Sequence, residues 1–277
     1  MEFTGKRVLI TGAGHGLGRT LALEFAHAGA DVIVTDVDVA RVDAVVAELV
    51  ALGRRASGYQ LNVTNAEQVL SVRDQVHAAG GSIDVLVNNA GIVSGGQFLG
   101  VPLDRHLSTV AVNLSGLLTV THVFLPGLIG RPEARLVNIA SASAVLALPL
   151  ATTYAATKWA VLGFSDSLRE ELRLAGHRHV RISTICPSYM ATGLFDGARA
   201  PLFTRLLTPE RVARVVLHAT TRGREFVMLP WTARLLYATA GSLPRGLFVR
   251  LCRLLGVSQS MSQWRGHAPS DGKQSGA

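Results

Sequence analysis

The sequence predicts an α/β fold: a doubly wound, mostly parallel sheet of about seven strands, with helices on both faces and an appended C-terminal helical segment. Short apolar runs rich in β-branched residues alternate with amphipathic stretches over residues 7–229, which is the order of parallel βαβ units. The chain has 277 residues, 48% of them hydrophobic, which is enough for a sizeable core. Because no repeat or long linker interrupts it, we expect one domain over residues 1–265. A polar tail, rich in Gly and Ser, follows at 266–277 and is expected to be disordered.

Each predicted element follows from its own hydrophobic pattern. Apolar runs bounded by turn residues mark strands at 7–11, 31–36, 55–61, 83–90, 134–141, 180–187 and, more weakly, 225–229. Apolar residues recurring about every 3.6 positions mark helices at 17–28, 39–52, after Asn65, at 105–128 and around Tyr154. Beyond Pro230 the alternation ends, and two apolar, basic segments at 231–240 and 247–255 predict a helical pair.

Charge and cysteine content limit the class of protein. The net charge of +8 lies at the C-terminal end, where residues 199–277 carry 12 Lys and Arg against 3 Asp and Glu. This stretch has no recognised nucleic-acid-binding motif, so we expect no nucleic acid partner. No apolar run reaches the roughly 18 residues of a membrane span. With two cysteines, Cys186 and Cys252, and no secretory signal, a cytoplasmic protein without disulfides or a metal site is expected.

A glycine-rich turn, Thr11 to Gly18 (TGAGHGLG), joins the first strand to the first helix. Glycine permits a tight turn and lets backbone N–H groups and the positive helix end approach a pyrophosphate, as in Rossmann-type sheets. The spacing is GxxxGxG rather than GxGxxG, which separates it from the commoner dinucleotide fingerprint. An ordinary strand-to-helix loop is the alternative. The residues predicted to contact a cofactor here are Gly12, Gly14, His15, Gly16, Leu17 and Gly18.

Asp36 closes the second predicted strand, where a carboxylate can accept hydrogen bonds from both hydroxyls of an adenosine ribose and would repel a 2′-phosphate. This favours NAD over NADP, although Arg19 and His15 are cationic side chains close in sequence. The alternative is that Asp36 only caps the next helix.

Tyr154 and Lys158 lie four positions apart in YAATK and so share one helix face. A phenol titrates near ~10 and becomes a useful base only if a cation stabilises its anion. Such a pair alone is usually surface packing. Ser141, at the end of the fifth strand, and Asn113, in the long helix before it, are expected at the same edge of the sheet.

Together these motifs resemble the classical short-chain dehydrogenase/reductase family over about residues 5–195. The resemblance rests on TGAGHGLG, NNAG at Asn88 to Gly91, Asn113, Ser141 thirteen residues before Tyr154, YAATK and the segment from Pro187 to Thr192. It implies that Tyr154 is the general acid/base, that Lys158 lowers its pKa and holds the nicotinamide ribose, and that Ser141 binds the substrate oxygen. Asn113 would position a water in a proton relay. Ser143 is an alternative to Ser141.

The resemblance also implies cofactor contacts outside the glycine turn. Asn62 stands where the family usually has Asp, and Ser188 replaces a usual Gly, which puts the backbone path beside the nicotinamide in question. The NNAG stretch either stabilises the sheet or contacts the cofactor directly. His106 and His122 belong to the helix that packs in dimers of this family. The implied contacts are Asn62, Val63, Asn89, Ala90, Gly91, Tyr154, Lys158, Pro187 and Thr192.

The substrate is expected to be lipophilic. A lid over about 188–208 carries apolar residues, and a second apolar wall lies between Ser141 and Tyr154. The lid residues are Met190, Leu194, Phe195, Leu202 and Phe203, and the wall residues are Leu146, Leu148, Pro149 and Leu150.

A looser resemblance, through PSYMATGLFDG, VMLP and SMSQWRG, is to the retinol, hydroxysteroid and long-chain alcohol dehydrogenases that act at lipid surfaces. Apolar and basic residues of the C-terminal helical segment would then dock on a membrane, or alternatively pack in the core or a subunit interface. These residues are Trp231, Arg234, Leu235, Leu236, Arg245, Leu247, Phe248, Arg250, Leu251 and Arg253.

The hypothesis is therefore an NAD-dependent oxidoreductase for a lipophilic secondary or long-chain alcohol, as a homodimer or homotetramer. The alternatives are an NADPH-dependent carbonyl or 3-oxoacyl reductase, and a non-catalytic nucleotide-sensing or membrane scaffold protein. Asp36 discriminates between the two enzymes, and an absent catalytic side chain would have favoured the scaffold.

Overall fold

The computed structural model describes residues 1–198, 206–240 and 242–266. It contains a sheet of seven strands: β1 (Arg7–Thr11), β2 (Asp31–Asp36), β3 (Ala56–Gln60), β4 (Val85–Asn88), β5 (Ala134–Ile139), β6 (Val180–Pro187) and β7 (Phe226–Leu229). Their order is β3-β2-β1-β4-β5-β6-β7, and each neighbouring pair is parallel. The predicted doubly wound sheet is confirmed.

Helices cover both faces of this sheet, as the βαβ pattern predicts. They are α1 (Gly16–His27), α2 (Val39–Ala51), α3 (Ala66–Gly80), α4 (Leu103–Val110), α5 (Leu117–Ile129), α6 (Thr152–Leu174), α7 (Pro209–Arg222), α8 (Trp231–Ala240) and α9 (Arg245–Leu254). The appended pair predicted after Pro230 is thus observed as α8 and α9. The predicted lid residues Leu202 and Phe203, and tail residues 267–277, lie outside the described residues.

Two core layers form because successive strand residues point to opposite faces of the sheet. In β1, Val8 and Ile10 join the layer beneath α1, α2 and α7, whereas Leu9 joins the layer beneath α3, α5 and α6. The other inner strands are buried at nearly every position for the same reason, since both of their faces are covered.

Two predicted strands are too long at their carboxyl ends. The runs 83–90 and 134–141 are ladder-paired only as far as Asn88 and Ile139. The residues that follow leave the sheet and enter loops, and these residues include Asn89 and Ser141. The apolar pattern continues past the last ladder pair because these loops are themselves buried.

The predicted helix 105–128 is a longer helical run interrupted in its middle. Between α4 and α5, the segment Ala111–Gly116 is π-helical, a local widening that is frequent at functional sites. The run Leu103–Ile129 is long and apolar enough, by length and composition, to cross a membrane, contrary to the expectation that no segment would qualify. Val120, Phe124 and Leu128 from this run pack in the layer beneath the sheet, which is how a core helix acquires such a composition.

Candidate active site

A cleft opens at the carboxyl edge of the sheet, where β1, β4, β5 and β6 end. The strand order reverses beside β1, and doubly wound sheets bind ligands at such a point. The glycine turn forms one end of the cleft, and the residues after β5 and β6 form the other. The predicted site residues that line it are Gly12, His15, Gly16, Leu17, Gly18, Asn89, Ala90, Gly91, Ser141, Tyr154, Lys158, Pro187 and Thr192.

The glycine turn is too crowded for side chains at Gly12, Gly14 and Gly18, and at Gly12 and Gly18 the crowding comes from the turn itself and the loop after β4. Gly12 has a φ of 63°, and a Cβ there would lie 2.9 Å from Cα of Ala90. A Cβ on Gly18 would collide with the carbonyl oxygen of Gly12 and lie 2.7 Å from Nδ2 of Asn89. The turn can therefore pass tightly against the loop after β4 only with glycine at these positions.

The first turn of α1 is open to an anion. His15 precedes the helix without a side-chain cap, and the first turn carries no acidic residue. In contrast, Asp38, Asn65 and Thr208 cap α2, α3 and α7 by accepting hydrogen bonds from backbone N–H groups. The N–H groups at the start of α1, together with the positive helix end, thus face the cleft and suit a pyrophosphate.

Asn89 and Thr11 connect the glycine turn to the loop after β4. The Asn89 side-chain amide donates to the carbonyl oxygens of Thr11 (3.0 Å) and Gly12 (2.9 Å). The Thr11 hydroxyl accepts from the backbone N–H groups of Asn89 (3.0 Å) and Ala90 (3.1 Å). Asn88 donates to Thr121 and Asn138. These contacts support the structural alternative for the side chains of NNAG, while the backbone of Asn89 to Gly91 borders the cleft.

Asp36 lies at the end of β2, buried, with both carboxylate oxygens engaged. The backbone N–H of Gly14 donates to Oδ2 (3.0 Å), and that of Asp38 donates to Oδ1 (3.2 Å). Nδ1 of His15 lies 3.8 Å from Oδ2. Burial would raise the pKa of Asp36, but the hydrogen bonds from His15 and the two backbone groups outweigh it and hold the pKa below its ordinary value. The carboxylate is therefore charged at neutral pH.

Gly14, Asp36, Asn62 and Val63 do not line the cleft. Gly14 and Asp36 contact each other beside the glycine turn. The Asn62 amide oxygen, predicted to contact the adenine, accepts hydrogen bonds from the Thr64 N–H (3.1 Å) and hydroxyl (2.8 Å). Val63 is buried against the π-helical segment, where a Cβ on Gly116 would lie 2.6 Å from it.

Tyr154 lies in the first turns of α6, fully buried beside Ser141. Burial raises the pKa of the phenol above its ordinary value; a hydrogen bond with Ser141 opposes this rise, and nearby Tyr189 adds to it. Lys158 was expected to lower the pKa of Tyr154, but the protein's own groups together raise it. Desolvation of the phenolate dominates, and the protein alone keeps Tyr154 protonated at neutral pH.

Lys158 is buried one turn after Tyr154, as the i, i+4 spacing predicts. Its Nζ donates to the carbonyl oxygen of Ile139 (2.8 Å) and lies 5.6 Å from the centroid of the Tyr154 ring. Burial lowers the pKa of the Lys158 ammonium to about 8. The ammonium therefore still carries most of its charge at neutral pH, between the end of β5 and the phenol.

Asn113 occupies the π-helical segment and is 1% exposed. Its Oδ1 accepts from the Ile92 N–H (2.8 Å), and its Nδ2 donates to the Ile92 carbonyl (2.9 Å) and to the Thr157 hydroxyl (3.2 Å). The side chain thus ties the loop after β4 to α6. A Cβ on Gly91 would lie 3.4 Å from Oδ1 of Asn113 and 3.7 Å from Nζ of Lys158, so all three crowd one spot behind the cleft.

Ser141 and Ser143 lie in one short turn but face different spaces. Ser141 follows β5, lines the cleft and accepts a hydrogen bond from the Ser143 N–H (3.2 Å). A second, mostly apolar cavity begins at Ser141 and runs away from the glycine turn. It is lined by Ser141, Ala142, Ser143, Leu146, Leu148, Ser188, Tyr189, Phe195 and Val257. Only Ser141 of the two serines borders both spaces.

The segment after β6 and the predicted wall agree with the sequence in part. Met190, Leu194 and Phe195 border the cleft, and Leu146 and Leu148 border the second cavity. Pro149 is exposed. Ser188 lines both spaces. Its φ is not positive, because among the described residues the non-glycine residue with positive φ is Leu150, so the backbone at Ser188 does not require glycine.

Residues near the C-terminal end complete the site, and sequence reasoning did not assign them. The closing segment, residues 257–266, contributes Val257 to the second cavity and packs against the segment after β6. Trp264 donates through Nε1 to the Leu194 carbonyl (3.1 Å), and Tyr189 hydrogen-bonds Ser260 (2.6 Å). Met261 packs with Tyr154 and Phe195 in one buried cluster. The available signal was the late tryptophan in SMSQWRG, an aromatic anchor in an otherwise polar stretch.

Comparison with known proteins agrees with this site. A model of the family described as "short chain dehydrogenase" matches residues 6–202. Epidermal retinol dehydrogenase 2 of Mus musculus is 32% identical over 91% of this chain and 83% of its own. Estradiol 17-beta-dehydrogenase 11 of Pongo abelii is 28% identical over 92% and 84%. The 3-oxoacyl-[acyl-carrier-protein] reductase FabG of Thermotoga maritima is 33% identical over 82% and 95%.

Solved structures share the fold. A short chain dehydrogenase/reductase from Burkholderia phymatum in complex with NAD has a TM-score of 0.79 and 29% identity, covering 87% of this chain and 96% of that one. A metagenomic short-chain oxidoreductase in complex with NADP has a TM-score of 0.70 and 29% identity, covering 82% and 96%. The structural neighbours thus include binders of either dinucleotide.

Proposed function

Because the chain belongs to the short-chain dehydrogenase family and is an NAD(P)-dependent oxidoreductase acting on CH–OH groups, we propose that it uses NAD to interconvert a lipophilic alcohol and its carbonyl compound. The observation that carries this proposal is a cleft that runs from an uncapped helix end past Tyr154, Ser141 and Lys158. An apolar cavity adjoins it and shares Ser141, Ser188 and Phe195 with it.

The residues present fit a dinucleotide. The positions of Gly12 and Gly18 admit no Cβ, and the open first turn of α1 suits the pyrophosphate. Lys158 would hold the nicotinamide ribose, and Thr192 would reach the carboxamide. When bound, the nicotinamide ring exchanges a hydride with the substrate carbon.

The chain's own part in the reaction is to hold the substrate oxygen and move its proton. Ser141 and Tyr154 converge at the point where the cleft meets the apolar cavity, so both hydroxyls would hydrogen-bond that oxygen. A buried phenol that keeps its proton suits proton donation to a carbonyl. In the alcohol direction, the neighbouring Lys158 charge would stabilise the phenolate. Asn113 would fix the relation between the loop after β4 and α6.

The charges around Asp36 favour NAD. A 2′-phosphate there would meet a carboxylate whose pKa is held low. Two neighbouring cations are engaged with other carboxylates: Arg19 makes two hydrogen bonds to Glu48, and Arg41 lies 3.1 Å from Asp38, whereas His15 contacts Asp36 itself. Asp36→Ala should narrow the preference for NAD over NADP by on the order of tenfold, measured as the ratio of kcat/KM. A wild-type preference for NADPH would favour the 3-oxoacyl reductase alternative.

The shape of the second cavity supports a lipophilic substrate. Six of its side chains are aliphatic or aromatic, and no Lys or Arg lines either space other than Lys158 among the described residues. A carboxylate or phosphate on the substrate would therefore find no charge partner there.

The decisive experiment follows NADH formation across retinoid, steroid and long-chain alcohols, with Tyr154→Phe beside the wild type. We expect the variant to bind NAD and to lose turnover by on the order of a thousandfold, since it lacks the proton. Tyr59→Phe, on β3 away from the cleft, is the matched control and should turn over normally. Wild-type turnover in Tyr154→Phe would disprove the assignment.

A peripheral membrane contact is a further part of the proposal. Trp231 is 71% and Leu235 60% exposed on α8, beside the exposed Arg234, and Arg250 and Arg253 are exposed on α9. Phe248, expected on this surface, is instead buried in the core. Sedimentation with phosphatidylserine vesicles should fall in Trp231→Ala and at high salt. A loss of self-association instead would identify a subunit interface.

The chain is further proposed to form a homodimer or homotetramer. Leu103, Leu107 and Leu118 are exposed along α4 and α5, as expected of a helix that packs against a second copy. His122 is also exposed, but His106 is buried and bonded to Phe98 and Thr153, so it would not take part.

A further inference from the structure

One polar group in the second cavity has no role in the chemistry described above. Ser143 is 5% exposed and lines the apolar cavity, and its hydroxyl has no hydrogen-bond partner among the described residues. A buried hydroxyl without a partner destabilises a fold. Such a group at the wall of a cavity is therefore a candidate for contact with a ligand.

Of the other hydroxyls that line the cavity, those of Tyr189 and Ser141 are engaged, whereas Ser188 also borders the cleft. Ser260 donates to the Val257 carbonyl (2.6 Å), so that Tyr189 donates to Ser260 (2.6 Å). Ser141 accepts from the Ser143 N–H and interacts with Tyr154. Ser183 and Thr184 also have unpartnered hydroxyls, but they are fully buried in β6 and line neither the cleft nor the cavity.

The position of Ser143 is fixed relative to the reacting centre. Its backbone N–H is hydrogen-bonded to the Ser141 hydroxyl, so the two side chains belong to one rigid turn. Ser141 borders the cleft and the cavity, whereas Ser143 borders only the cavity. A polar atom that meets Ser143 would thus lie deeper in the apolar cavity than the oxygen held by Ser141 and Tyr154.

The geometry points to a second oxygen on the substrate. We infer that the substrate is a lipophilic alcohol or ketone carrying another hydroxyl or carbonyl oxygen a few bonds from the reacting carbon, and that Ser143 binds this oxygen. The inference rests on the proposed function and narrows its substrate class. Ser143 acts in specificity and takes no part in proton or hydride transfer.

The test compares two ketones of equal chain length: a 3-oxo ester, which carries the second oxygen, and a ketone that lacks it. Ser143→Ala should lower kcat/KM for the 3-oxo ester by on the order of tenfold and leave the plain ketone unchanged. The backbone N–H that positions Ser141 remains in this variant. Ser183→Ala also removes an unpartnered buried hydroxyl and is the matched control, for which the ratio of the two substrates should not change.

Two outcomes would overturn the inference. An equal loss for both ketones would mean that Ser143 acts on the reacting oxygen, and no loss for either would mean that it contacts no substrate. Thermal shift with each ketone and NADH gives a readout that does not need turnover. Selective stabilisation of the wild type by the 3-oxo ester, absent in Ser143→Ala, would support the Ser143 contact even if the proposed reaction failed. If both ketones are turned over and Ser143→Ala does not discriminate between them, the proposed reaction is supported and the Ser143 contact is refuted.

Discussion

Asn113→Ala removes the side chain that ties the π-helical segment to the loop after β4 and to α6. Three hydrogen bonds are lost, two with the backbone of Ile92 and one with Thr157. At about 1 kcal/mol net for each bond, the free energy of unfolding should fall by about 3 kcal/mol. This is a large part of a typical stability, but it leaves a folded protein to assay.

The same substitution should also reduce activity. Gly91 lies in the loop that would lose its tether, and it lines the cleft together with Lys158. A displacement of about 1 Å at a reacting centre can reduce turnover about a hundredfold. Asn138→Ala is the matched control. Asn138 is fully buried and makes two hydrogen bonds, with Asn88 and Ser165. The substitution should therefore lower the free energy of unfolding by about 2 kcal/mol and leave turnover nearly unchanged.

Urea unfolding measures the stability of both variants, and NADH absorbance with NAD and substrate saturating measures turnover. Equal losses of turnover in Asn113→Ala and Asn138→Ala would refute the reasoning, since Asn113 would then matter only for folding. Unchanged stability in Asn113→Ala would show that the three bonds contribute nothing net.

Three other predictions concern the turn, the closing segment and the buried cation. Gly18→Ala should abolish NAD binding in a fluorescence titration, because its Cβ would collide with the Gly12 carbonyl, whereas Gly163→Ala in α6 meets no atom within 4 Å and should stabilise by roughly 0.5–1 kcal/mol. Trp264→Ala removes the bond to the Leu194 carbonyl and should raise KM for lipophilic substrates more than it lowers kcat. Lys158 has a folded-state pKa of about 8 against an ordinary 10.5, so the unfolded state binds more protons between these values. The unfolding free energy of the wild type relative to Lys158→Met should therefore be lowest below pH 8 and rise by about 3 kcal/mol towards pH 10.5, and a flat difference would contradict the shift.

The sheet was predictable because most of its parallel strands are apolar runs bounded by turn residues, and β3 (ASGYQ), the least apolar, lies at the edge. Even the weak strand ending at Leu229 is present, paired with Pro187 at the end of β6. The interruption between α4 and α5 was not predictable, since a π-helical turn leaves the hydrophobic period almost unchanged. The three hydrogen bonds that join Asn113 in this segment to partners 21 and 44 residues away are also invisible in a local pattern.

The site was predictable where motifs fix backbone geometry, as at Gly12 and Gly18, and less so where the surroundings decide the chemistry. The spacing of Tyr154 and Lys158 was enough to place both side chains near each other. It could not give the direction of the Tyr154 pKa, which depends on burial by Phe195 and Met261 from distant parts of the chain.

The closing segment bears on how the substrate specificity of such a protein can change. The family match ends at residue 202 and includes eight of the nine residues that line the second cavity, and the ninth, Val257, belongs to the closing segment. Trp264 and Ser260 of the closing segment hydrogen-bond the Leu194 carbonyl and the Tyr189 hydroxyl, so this segment supports a wall that the family-matched part of the chain provides. Exchanging this short stretch for that of a relative would thus alter the support of the cavity while Ser141, Tyr154 and Lys158 stayed in place.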